Sequence, residues 1–216
     1  MDIRKEWKRY PPPKGYDPTN LTHLVKYFQA RRNDPTSVMA IYRDQIWDYC
    51  RDADRFDEAI VAACLSIRPN LGVMHHHQSK VPHMARFKLC FELVKRSPSI
   101  HTAMLGDPDR NFDWLHDGVE RIGSEIEGIG PMTIYDVSVR ISGWLGSHGC
   151  PHAAPDRIYL HQGCKTGVKM LGLPTNVKSL PLSAFPKELQ VMDADDLEDF
   201  LCAHLAVLED ANHELR

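Results

Sequence analysis

The sequence predicts an all-α protein. Apolar residues recur at helical spacing along almost the whole chain, no segment alternates with the period of two that marks a strand, and Pro, Gly and capping residues punctuate the periodic runs. With 216 residues, 43% hydrophobic and 25% charged, the chain is long enough to bury its own core in one generous domain or two small ones.

Residues 1–19 read as an extended arm, because three prolines at 11–13 precede Lys14-Gly15 and hold the backbone out of helical geometry. Residues 20–216 follow as one all-α domain. Its first helix places Leu21, Leu24, Val25 and Phe28 on one face. The second opens at Asp34-Pro35, an N-cap acid before a first-turn proline, and stripes Val38, Tyr42, Ile46 and Tyr49. A third, with Phe56, Ile60, Ala63, Cys64 and Ile67, carries few charges after Glu58 and reads as a central helix buried on several sides. It stops at Arg68-Pro69-Asn70. The fourth begins near Ser79 and Pro82, turns Met84, Phe87, Phe91 and Val94 inward, and closes at Ser97-Pro98. Helices over 111–123, 131–145, 156–171 and 195–210 complete the set, the last burying Leu197, Phe200, Leu201, Leu205 and Leu208.

The 26 basic and 29 acidic residues leave a net charge of −3, which excludes coating of nucleic acid by bulk positive charge. The charge is unevenly spread. Residues 187–216 hold nine acids against two bases, so residues 1–186 carry 24 bases against 20 acids. The acidic last helix suits a basic protein partner. The six cysteines form no C-x-x-C pair and no tight framework, as expected of reduced thiols. The first ten residues are charged where a leader peptide needs an apolar run, and no stretch approaches the ~20 apolar residues of a membrane span. A cytoplasmic protein without membrane contact is expected.

The most informative segment is Ile126-Glu-Gly128-Ile129-Gly130-Pro-Met-Thr133 between two amphipathic helices. Gly128 and Gly130 permit a tight turn that brings backbone N–H groups to the start of the next helix, where the dipole favours a phosphate. Ile129 plugs the core, and Ile134, Val137, Ile141 and Leu145 bury the helix that follows. A loop rich in Gly and Pro, 146–155, leads to Asp156 at the mouth of another helix.

This order of helix, Gly-x-Gly hairpin, helix, Gly/Pro loop, Asp and helix resembles the helix-hairpin-helix-GPD superfamily of DNA glycosylases over about residues 110–175. Ala62 to Arg68 resembles its central helix, which ends in a polar residue near DNA. The resemblance implies two all-α lobes with a cleft between them, the hairpin lying in a lobe of about residues 98–175. It implies a target nucleotide flipped into the cleft and phosphates held by the hairpin at Gly128, Ile129, Gly130 and Thr133. Asp156 is then the catalytic carboxylate, stabilising an oxocarbenium-like sugar and activating the attacking water. Met132 stands where strand-cutting members carry lysine, so no lyase activity is implied. Only Cys202 lies near the end, so no iron–sulfur cluster and no other cofactor is expected.

Arg157, His161, Lys165 and Lys169 follow at intervals of four and make a basic stripe on the predicted helix beside Asp156. Such a stripe suits a phosphate backbone, with Tyr159 and His161 lining a base pocket. The run His75-His76-His77-Gln78-Ser79-Lys80 follows the central helix, placing Arg68, His77, Gln78 and Lys80 where they contact phosphate or a flipped base. Consecutive histidines point in different directions, and no metal site is assigned. Arg4, Lys5, Lys8 and Arg9 with Trp7 and Tyr10 combine charge and rings in a manner that suits nucleic acid or a docked terminal helix.

Three readings follow. The first is a monofunctional DNA N-glycosylase with a localised footprint. The second keeps the chemistry on a free nucleoside or nucleotide, and the third is a non-catalytic helix-hairpin-helix DNA-binding protein.

Overall fold

A computed structural model describes residues 14–17, 19–35, 37, 47–66 and 80–202. Seven α-helices have defined limits there: α1 (Leu21–Arg32), α2 (Phe56–Leu65), α3 (His83–Gly106), α4 (Phe112–Gly123), α5 (Pro131–Ser147), α6 (Gln162–Met170) and α7 (Ala194–Phe200). Two three-residue strands, β1 (Arg157–Tyr159) and β2 (Ser179–Pro181), pair antiparallel with Ile158 opposite Leu180. The protein is mostly helical, and no described helix is long and apolar enough to cross a membrane. Arg68, His77, Gln78, the amino-terminal basic cluster, most of the second predicted helix, and Leu205 and Leu208 lie outside the described residues.

The chain divides into two compact units, 1–40 with 156–216, and 41–155. Each has its own core.

The unit of residues 41–155 is built by α2 to α5. Helix α2 buries Phe56, Ala59, Ile60, Ala62, Ala63 and Cys64, as its apolar sequence predicts. Helix α5 buries Ile134, Val137, Ile141 and Leu145 together with α4's Leu115 and Val119. Helix α3 departs from expectation twice. It runs through Pro98 to Gly106, because Ile100 and Met104 beyond the proline pack into the same core and hold the helix despite the hydrogen bond proline removes. It also turns Ala85, Leu89 and Leu93 inward and leaves Met84, Phe87 and Phe91 exposed. Both rows are apolar at helical spacing, and the row with the smaller side chains packs against the alanine-rich α2.

The other unit packs α1, α6, α7 and the β1–β2 ribbon around Phe28, Ile158, Val168, Leu180, Leu197 and Phe200. Phe28 and Phe200 meet edge to face, centroids 5.4 Å apart. The single helix predicted over 156–171 is instead β1 followed by α6. His161 ends the extended stretch, its side chain capping α6 by accepting from the Gly163 N–H. Gly163 and Gly167 weaken α6 by propensity but admit the end of α7. A Cβ on Gly167 would lie 2.7 Å from the Leu201 carbonyl oxygen, so only glycine allows that approach.

Arg32, 5% exposed, lies among the α7 acids, with Nε 2.9 Å from Asp196, and Nη2 3.2 Å from Asp199 and 3.9 Å from Asp195. Part of the acidic excess read as a partner surface is therefore answered inside this unit.

Candidate functional site

The hairpin lies within the unit of residues 41–155. Asn111 caps α4 by accepting from the Trp114 N–H, and α4 ends at Gly123. A Cβ there would sit 3.0 Å from both Ile129 and Ile134, so this glycine lets the turn fold back on its helix. Tight bonds then reverse the chain, from Ile126 N–H to the Gly123 carbonyl at 3.0 Å and from Ile129 N–H to the Ile126 carbonyl at 3.1 Å. Gly128 has φ +92°, which disfavours any other residue. Gly130 precedes α5, whose first residue, Pro131, has no N–H to leave unpaired. Ile129 packs against the core as expected.

A Cβ on Gly128 would stand 3.0 Å from the Pro82 ring and 3.6 Å from Ala85. The hairpin turn thus touches the first turn of α3, and exposed Lys80 lies two residues before that contact. Two helix amino termini are brought together here. Among these seven α-helices α3 and α5 alone have neither a side-chain cap nor an acid in the first turn. Helices α1, α4, α6 and α7 are capped by Asn20, Asn111, His161 and Asp193, and α2 carries Asp57 and Glu58. Uncapped first-turn amides and two positive dipole ends favour an anion. His83 adds a donor. Its Nδ1 lies 2.9 Å from the Arg86 Nη2 and must accept, because guanidinium only donates, which leaves the proton of the neutral ring on Nε2. Exposed Glu125 and Glu127 are the opposing charges in the turn.

Two buried arginines, unremarked as site residues in the sequence, hold the nearby end of α2. Arg140 donates to the Ala63 carbonyl and the Ser66 hydroxyl, and Arg86 to the Leu65 carbonyl at 3.1 Å. Asp136 lies 3.6 Å from Arg140, so the acid in the hairpin helix partners a buried cation. A lone Arg among Val139, Ile141 and Trp144 is the sequence signal for this role.

The remaining predicted residues are placed differently from expectation. Thr133 is buried at 2% exposure, so its side chain does not reach a phosphate. Tyr159 and His161 are also buried, which removes both from a base pocket. Lys178 Nζ lies 5.7 Å from the Tyr159 ring centroid, and His161 pairs with Glu198 at 2.5 Å. The basic stripe is broken because Arg157 is in β1 and His161 is a cap, leaving Lys165 and Lys169 on α6. Asp156 precedes β1, not a helix. Its carboxylate is 72% exposed and accepts from the Arg157 Nε at 3.2 Å.

No family model, curated protein or solved structure matches the chain.

Proposed function

We propose that this protein binds the DNA backbone through the hairpin turn and acts as a monofunctional N-glycosylase that releases a damaged or modified base. The observation that carries the reading is the pairing of the two uncapped helix starts, α3 and α5, through the contact of Gly128 with Pro82. Such a concentration of amide donors beside Lys80 suits phosphate oxygens and asks for no broad basic surface, in keeping with a net charge of −3. In the catalytic step Asp156 stabilises the positive sugar as the N-glycosidic bond breaks and orients the water that adds to the anomeric carbon, while the base leaves with a proton.

The test exposes oligonucleotides carrying damaged, modified or mismatched bases to the protein, then heats them in alkali to cut at abasic sites. Base release that disappears in Asp156→Asn while DNA binding stays within about twofold supports the reading. Unchanged release in that variant overturns it.

A second reading, DNA binding without catalysis, is favoured by one observation. The Asp156 carboxylate is solvated and paired with Arg157, whereas a carboxylate that stabilises a developing cation gains most where water is excluded. Binding by the hairpin with no base released from any substrate of the panel selects it.

A further inference from the structure

We propose that His161, Cys164, Cys202 and Glu198 form a structural site for a zinc-class divalent cation within the unit of residues 1–40 and 156–216. The residues arrive as two spaced pairs. His161 and Cys164 are three apart at the start of α6, and Glu198 and Cys202 are four apart along α7 and its continuation. Both spacings put two side chains on one side of a helical turn. The tertiary structure then sets the pairs against each other. Ligand-type atoms of His161, Cys164 and Glu198 lie within 4.8 Å of one another, and all three residues are buried.

Gly163 permits the close approach. A Cβ there would stand 2.5 Å from the Cys202 Sγ, 2.9 Å from the His161 Cε1 and 3.2 Å from its Nδ1, so only glycine lets the thiol and the ring draw in to this point. The protonation of His161 fits a ligand role. Its Nε2 faces the Glu198 carboxylate at 2.5 Å and carries the proton, and its Nδ1 accepts from the Gly163 N–H at 3.1 Å. A neutral imidazole whose far N–H is held by a carboxylate is the usual support of a ligating histidine. The cation takes the Nδ1 lone pair in place of the Gly163 amide, with the Cys164 and Cys202 sulfurs as thiolates. Two thiol protons are released to solvent on binding. Two thiolates and a neutral imidazole balance a 2+ ion, which suits a buried position, and nitrogen with sulfur selects zinc over calcium or magnesium. Glu198 acts as the positioning residue behind the ring.

The experiment uses the full chain, stripped with chelator under reducing conditions and titrated with Zn²⁺ against a chromophoric competitor, then with Co²⁺ for its spectrum. One tight equivalent is expected, with sulfur-to-cobalt charge transfer and tetrahedral bands. Cys164→Ser and Cys202→Ser are expected each to lower the affinity at least 100-fold, and Glu198→Gln 10- to 100-fold. Gly163→Ala pushes the Cys202 thiol and the His161 ring out of position and is expected to lose the ion. A variant with His75, His76 and His77 all changed to Ala is expected to keep it. Absence of a tight equivalent overturns the proposal, as does an ion retained by both Cys→Ser variants or lost with the histidine run. Circular dichroism of each variant without metal separates loss of the site from loss of the fold, and a Gly163→Ala chain that folds yet binds Zn²⁺ undiminished also overturns it.

Discussion

Arg140 donates to the hydroxyl of Ser66 at 2.6 Å, joining the middle of α5 to the residue that ends α2. Ser66 is fully buried with φ +52°, a left-handed conformation that costs a non-glycine residue free energy unless its surroundings enforce it. The same guanidinium binds the Ala63 carbonyl at 3.1 Å, so one cation satisfies the carboxyl end of the central helix, where the dipole is negative. Arg140→Met keeps much of the apolar stem and removes these donors. It is expected to destabilise the fold by about 2–4 kcal/mol, read as a lower urea midpoint.

The two hairpin glycines are expected to behave differently. Gly128 has φ +92° and no room for a Cβ against Pro82, whereas a Cβ on Gly130 would meet nothing within 4 Å. Gly128→Ala should cost about 1–3 kcal/mol and weaken DNA binding, while Gly130→Ala should cost less than about 1 kcal/mol. Thermal melts and a DNA-binding titration of both variants check the contrast.

Charge at the turn gives a test of the phosphate reading. Lys80→Ala is expected to weaken binding uniformly across DNA sequences and to reduce the slope of log affinity against log salt by about 1. Glu127→Gln removes one of the two opposing carboxylates, the one beside Gly128, and is expected to strengthen binding. Equal affinity of both variants and the parent at low salt removes this surface as the contact.

Alkaline stability follows from Cys50. Burial pushes its thiol up to about 12, against an ordinary value of 9.0. The unfolded chain therefore ionises this group first, and the folded state loses stability as pH rises from about 9 to about 12, on the order of 1.4 kcal/mol per pH unit. Urea midpoints at increasing pH are expected to fall in the parent and to fall less in Cys50→Ala.

The helical class, the positions of α1, α2, α4 and α5, and the buried faces of α2 and α5 were legible in the sequence, because each rests on local periodicity and capping. The glycines of the hairpin were legible as a turn for the same reason. Where two apolar rows compete on one helix, as in α3, periodicity offers both and only the neighbour's side-chain sizes choose between them. The run 156–171 misled because its basic residues recur at helical spacing, while pairing of Ile158 opposite Leu180 and the cap at His161 depend on residues far along the chain.

What the sequence by itself determined is therefore local: helical class, turn chemistry and the candidate residues. Tertiary structure alone decided which of them meet. It buried Thr133, Tyr159 and His161, left Asp156 in solvent beside Arg157, and set the Gly128 turn against the first turn of α3. Burial and charge pairing sum over residues distant in sequence, and no local pattern encodes that sum.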